Sequence, residues 1–398
     1  MMMHAIGRLV TRRGALFGLT VGATLGRTSL ALAQAATDRR LVVVLLRGGM
    51  DGLAAVVPYG DPDLIGLRAP LVPPPPGQPG GMLDLDGFFA LHPALPNVHQ
   101  MYQANEALLA HAVAGPYRSR SHFDAQDLME AGTPQRLPSG WLNRLAGLLP
   151  AKAGMDTAVA IGGAVPPLLR GAIPVSNWSP PLWAEPTPDL YARLIAVHKA
   201  DPVTGPALAE GLKERGFTRA VLAGAAPPPN NDGFTVLADR AGRMLAAPDG
   251  PRLAALETEG WDTHGTQPPR ISYELRRLDA GLAALKTSLG EVWRKTIVLI
   301  ITEFGRTARV NGSGGTDHGT GSVALLLGGP VAGGKVLADW PGLAPTRLFE
   351  DRDLRPTLDV RSLAKGVLAG HFGLREADLG KVFPDSAVAA PVAGMLRG

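Results

Sequence analysis

The chain has 398 residues, 45% of them apolar and 19% charged, enough to bury the core of one large α/β domain or two average ones. With 50 glycines and 36 prolines spread without a short repeat, many turns are predicted and a collagen-like fibre is excluded; a net charge of +4, with no basic run interleaved with aromatics, gives no footing for nucleic-acid binding. The chain contains no cysteine, which excludes disulfides, iron–sulfur clusters and thiolate nucleophiles, so any metal falls to His, Asp or Glu.

The first 36 residues are set aside from the fold. Thr11-Arg12-Arg13-Gly14-Ala15-Leu16-Phe17 resembles the twin-arginine export motif. A weakly apolar stretch, Ala15–Leu32, follows it and ends in Ala31-Leu32-Ala33, a small-x-small cleavage pattern. This predicts a signal peptide over 1–33, cleavage near Ala33, the twin-arginine translocase as export partner, and a periplasmic or extracellular mature protein. Arg27 interrupts the apolar run, which argues against a stable transmembrane anchor.

In the mature chain, taken as one domain over 38–385, Leu41–Leu46 is a continuous apolar, Val-rich run predicting a central strand of a parallel sheet, with Asp51 in the loop beyond it. Residues 92–110 read as a helix and His111–Ala114 as the next strand. A polar loop with Arg118, Arg120, Ser121 and His122 opens a helix over 123–131. Ala158–Ile161 reads as a short strand, and 183–247 as a helical insertion or cap. Leu253–Glu257 is a strand running into Gly260-Trp261-Asp262-Thr263-His264, and 271–289 is an amphipathic helix. Thr296–Thr302 is the clearest strand and ends at Glu303, and Val323–Gly328 is a further one. Strands alternating with helices predict an α/β fold with a mostly parallel sheet.

Asp51, Asp262, His264 and Glu303 all follow the carboxyl ends of predicted strands, and Asp317 and His318 lie in the Gly-rich loop after the strongest strand. Ligands of open α/β sheets bind in the crevice outside those ends. Carboxylates gathered there repel one another unless a cation intervenes, and carboxylate with imidazole is ordinary divalent-metal coordination. Each residue also has a plain structural reading: Asp51 as a turn former, Asp262 to His264 as a helix cap, Glu303 as a partner of Arg306, and Asp317-His318-Gly319 as a turn.

The segments Leu46–Leu53, Arg120–Asp127, Gly260–His264, Thr302–Thr307 and Gly315–Gly319 resemble, in order, the domain-of-unknown-function 1501 family, over roughly residues 38–372. That family is grouped with the alkaline phosphatase/sulfatase superfamily. The resemblance implies an alkaline phosphatase-like three-layer sandwich with a mostly parallel central sheet and a helical insertion. It also implies one or two divalent metal ions (zinc, manganese or calcium) on Asp51, Asp262, His264, Glu303, Asp317 and His318. Ser121 becomes the candidate nucleophile, with an N-cap for the following helix as its alternative. His122 can be ligand, acid/base group or packed residue. Arg306 can contact a substrate anion or hold Glu303, while Arg118 and Arg120 are candidates for binding phosphate or sulfate oxygens. Two departures from the superfamily pattern are the close spacing of Asp262 and His264 and the presence of Phe304 where a histidine is usual.

The implied activity is hydrolysis of a phosphate or sulfate ester, small or polysaccharide-borne. The alternatives are a non-catalytic metal-containing envelope protein that serves structure or binding, and a phosphomutase-like or transferase variant using the same site.

Overall fold

A computed structural model describes residues 38–150, 156–180, 188–224, 228 and 232–397. The predicted leader, with its arginine pair and Ala33, lies outside the described residues.

Among the described residues, nine strands form the main sheet: β1 (Arg40–Leu46), β2 (Ala107–Ala114), β3 (Ala158–Ile161), β4 (Ser176–Trp178), β5 (Leu253–Thr258), β6 (Thr296–Thr302), β7 (Ser322–Leu327), β8 (Lys335–Leu337) and β9 (Leu358–Asp359). Their order is β8-β2-β7-β6-β1-β5-β3-β4, with β9 also paired to β2. β1 lies at the centre, parallel to both β5 and β6, with Leu41 opposite Leu253 and Ile297. β7 pairs antiparallel with β6 and β2, and every other pairing in this sheet is parallel.

The apolar run of β1 follows from burial on both faces. Val42, Val44 and Leu46 enter one apolar cluster, and Leu41, Val43 and Leu45 enter another. Helices α1 (Gly52–Ala55), α2 (Pro96–Gln103), α3 (His122–Ala131), α4 (Gly233–Ala246), α5 (Gln267–Leu289) and α6 (Val360–Phe372) supply much of the rest. Val98 and Met101 of α2, Phe234 and Met244 of α4, and Ile271, Leu275, Leu278 and Leu282 of α5 join the first cluster. Leu363, Val367 and Leu368 of α6 join the second, with Trp141 and Phe383. Each such side chain contributes roughly 1.5–3 kcal/mol through burial.

The helix predicted over 92–110 is shorter, Pro96–Gln103, and residues 107–110 belong to β2. Asn105, at φ 60°, turns the chain between them. All eight residues of β2 are buried, and a short apolar run buried on both sides carries no period that separates strand from helix. The segment 183–247 holds helices Pro188–His198, Thr204–Leu222 and α4. Of these, α4 packs into the core, while Thr204–Leu222 buries no residue. Among the described residues, no helix is long and apolar enough to cross a membrane.

Candidate metal centre

The parallel strands deliver three loops to one place. After β1, Gly48 has φ +121°, and a Cβ there would lie 2.6 Å from the Asp262 nitrogen. Only glycine allows this loop to abut the Asp262 backbone while its own N–H reaches Glu303 Oε1 at 2.8 Å. Beyond β6, residues 303–307 run beside 316–320, joined by Thr307 N–H to the Asp317 carbonyl and Gly305 N–H to the Thr320 carbonyl, both 2.9 Å. Gly319 permits that approach, since a Cβ would meet the Arg306 carbonyl carbon at 2.4 Å. His122 enters as the first residue of α3.

His122, Asp262 and His318 each present one ligand atom within 4.8 Å of the others, a group able to hold a metal ion. His122 Nε2 lies 2.9 Å from His318 Nε2, which is 3.2 Å from Asp262 Oδ1. His264 flanks them, its Nε2 3.0 Å from His318 Nε2 and 2.9 Å from Asp262 Oδ1.

The second nitrogen of each ring decides what these contacts mean. His122 Nδ1 faces Glu303 Oε1 at 2.8 Å, His318 Nδ1 faces the Arg120 carbonyl at 3.0 Å, and His264 Nδ1 faces Asp317 Oδ1 at 3.3 Å. Carbonyl and carboxylate oxygens only accept, so His122 and His318 each carry a proton on Nδ1 and, when neutral, turn a lone pair inward at Nε2; His264 meets a carboxylate from both nitrogens, the nearer being Asp262 Oδ1 at 2.9 Å from its Nε2. Two lone pairs 2.9 Å apart repel unless a proton or a metal cation lies between them. Imidazoles anchored through Nδ1 to carboxylate or carbonyl are the usual outer layer of a metal site.

The titration shifts agree with this geometry. Burial pushes the Glu303 carboxyl up, but hydrogen bonds from His122, Gln126 and Gly48 outweigh it and hold it below the usual range. The bond to Glu303 raises His122, whereas burial, then the neighbouring His122 and Arg306, lowers His318. At Asp262 the upward push of burial is outweighed by Arg306, leaving that carboxyl low.

Asp51 has other partners. It is fully buried, caps α1 through the Ala54 N–H at 3.2 Å, pairs with buried Arg68, and accepts from Gln267 Nε2 at 2.5 Å. Its carboxylate does not lie among the converging ligand atoms of His122, Asp262 and His318. Glu303 stands behind His122 and Asp317 behind His264, each bonded to an Nδ1 rather than placed among the converging Nε2 atoms.

Arg306 is buried and donates to Asp262 Oδ1 at 2.7 Å and to the Thr316 carbonyl at 2.5 Å, so it holds Asp262 and not Glu303. Arg118 donates to the carbonyls of Gly115 and Tyr117, and Arg120 is bound by Asp353 and Glu350. Ser121 occupies the N-cap position of α3, but its hydroxyl makes no cap bond.

Several supporting residues escaped the sequence reading. Gln126 donates to Glu303 at 2.9 Å, and its spacing four residues after His122 on one helix face was the available signal. Asp353, Arg68 and Gln267 lie far off in sequence with no local signature.

A mixed α/β fold with a mostly parallel central sheet, carrying a candidate metal centre beyond its strand ends, is the class of protein defined here. Residues 103–383 match the model of the protein of unknown function family DUF1501, and the chain belongs to that family. No curated protein matches it in sequence. Among solved structures it is similar to Ps i-CgsB in complex with k-i-k-neocarrahexaose, at 11% identity over 89% of this chain and 77% of that one, with a TM-score of 0.40. A putative sulfatase from Bacteroides thetaiotaomicron shares 11% identity over 89% and 73%, with a TM-score of 0.41. The phosphonate monoester hydrolase of Agrobacterium radiobacter shares 13% over 85% and 74%, with a TM-score of 0.32.

Proposed function

We propose that the protein is an exported metal-dependent hydrolase of phosphate or sulfate esters. The observation that carries this reading is the convergence of imidazole Nε2 atoms beside Asp262, every Nδ1 being committed elsewhere. His122, Asp262 and His318 would hold the ion, with His264 at the open edge. Three nitrogens and a carboxylate suit zinc or manganese better than calcium, which takes oxygen ligands. A divalent ion there would polarise an ester's phosphoryl or sulfuryl oxygen. Ser121, directly before His122, would be the nucleophile. Arg306 holds Asp262 in place.

The same reading takes the architecture as the three-layer sandwich, with α2, α4 and α5 on one face of the sheet and α6 on the other. It takes the first 33 residues as the leader for the twin-arginine translocase, with the mature protein periplasmic or extracellular.

A second reading, a metal-containing envelope protein without catalysis, draws support from the arginines. Arg118, Arg120 and Arg306 are each engaged by the protein's own oxygens, leaving none of the three uncommitted for a substrate anion. Elemental analysis of protein purified without chelator, beside Asp262→Ala/His264→Ala, separates the cases. Bound divalent ion lost in the double variant, with ester turnover lost in Ser121→Ala, is the expected result. Metal without turnover on phosphate and sulfate esters would favour the second reading. No metal after zinc, manganese and calcium reconstitution would sink both.

A further inference from the structure

The loop that brings His122 to the centre contains a backbone outlier. Arg120 has φ 62°, in the left-handed region that arginine rarely adopts and glycine takes freely. A non-glycine residue stays there only when its surroundings hold it. Those surroundings are explicit: Arg120 Nε donates to Asp353 Oδ2 at 2.8 Å, and its Nη2 reaches the same oxygen at 2.7 Å and Glu350 Oε2 at 2.5 Å. Asp353 is fully buried and its backbone pairs with Thr307 and Phe349, and Arg306, next to Thr307, pairs with His318, so the clamp is anchored to the segment beside His318. The conformation delivers one contact, the Arg120 carbonyl on His318 Nδ1 at 3.0 Å.

We propose that Arg120, clamped by Asp353 and Glu350, is a positioning residue that fixes His318 in its Nδ1–H tautomer and so turns the Nε2 lone pair toward Asp262 and His122. One short turn then sets two imidazoles, His122 through the chain and His318 through a carbonyl. Glycine would accept the angle but could not hold it, which accounts for an arginine here. The guanidinium expected to receive substrate oxygens works instead as a backbone brace. The metal consequence rests on the centre proposed above, whereas the tautomer does not.

The test uses the full mature protein. Long-range proton–nitrogen correlation of the histidine rings in metal-free protein should show His318 in the Nδ1–H form. Asp353→Asn, close to isosteric, should mix the two tautomers and weaken zinc binding, read by titration calorimetry, roughly 10- to 100-fold, as loss of an outer-layer partner does. If Asp353→Asn fails to fold, Arg120→Gly, which relieves the backbone and removes the clamp, gives the same two readings. A variant that keeps the single tautomer and binds zinc within about twofold of wild type overturns the proposal. If the wild type binds no zinc, the metal reading falls, and the tautomer comparison still decides this one.

Discussion

Asp262 has two duties, and separating them predicts an unusual rescue. Its Oδ1 accepts from Arg306, whose side chain is 0% exposed, while Asp262 itself is 43% exposed. Asp262→Ala therefore leaves a buried guanidinium without its carboxylate, a change that costs about 3–5 kcal/mol. Arg306 retains its bonds to the Thr316 hydroxyl and carbonyl, which places the loss near the low end, about 3 kcal/mol. For a chain of this length that lowers the unfolding midpoint by roughly 4 °C, at about 1.2 °C per kcal/mol. Replacing the orphaned cation by an apolar side chain of similar reach removes the penalty, so Asp262→Ala/Arg306→Met should regain most of the loss. The assay is thermal unfolding in the presence of chelator, so that metal binding contributes to neither value. If the double variant is as unstable as the sum of the two single ones, the unpaired buried charge is not the cause, and Asp262 stabilises the loop by some other contact.

Three further outcomes follow from the same geometry. Since the bond to Glu303 holds His122 above its ordinary 6.5, a proton competes with metal for Nε2; zinc affinity should rise with pH through that raised value and then level off, and calorimetry in two buffers should show proton release. Affinity independent of pH across about 6 to 8 would contradict this. Gly48→Ala, with its Cβ 2.6 Å from the Asp262 nitrogen, should cost about 1–3 kcal/mol in denaturant unfolding and weaken zinc binding together. Asp51→Asn should destabilise the fold by about 3 kcal/mol, by leaving Arg68 buried and unpaired, yet keep the metal content of the wild type; loss of metal would restore Asp51 as a ligand.

What the sequence made legible was position along strands. β1, β5 and β6 announce themselves as apolar runs, and the residues just beyond them, Asp262, His264 and Glu303, do lie together at the carboxyl end of the sheet. Partner choice was not legible. Asp51 looks like the other strand-end acids, but Arg68, buried in a short helix 17 residues later, claims it. Glu303 and Arg306 are neighbours in sequence, yet the close run of 303–307 along 316–320 turns Arg306 toward Thr316 and Asp262. Likewise the Arg120 side chain is drawn off by Asp353, 233 residues away, a contact that no local pattern encodes.

These partner choices change the reason for expecting a cation. The strand-end acids do not crowd one another: Asp51 has Arg68, Asp262 has Arg306, Glu303 has the donors of His122, Gln126 and Gly48, and Asp317 has Asn311. Repulsion among carboxylates therefore asks for no metal. The demand comes from the imidazoles, because His122 and His318 face each other through Nε2 with both Nδ1 positions committed. In the metal-free protein the bond to Glu303 favours a second proton on His122, while burial disfavours one on His318. A divalent ion would compete with that proton and would take Asp262 as a charged ligand, so Glu303 would serve both states, as counter-ion to the imidazolium and as the anchor that keeps His122 aimed. It follows that Glu303→Gln should weaken proton and metal binding at His122 together: a lower His122 titration in metal-free protein and a weaker zinc affinity, measured by histidine nitrogen shifts and calorimetry. A variant in which only one of the two changes would mean that Glu303 does not act through His122.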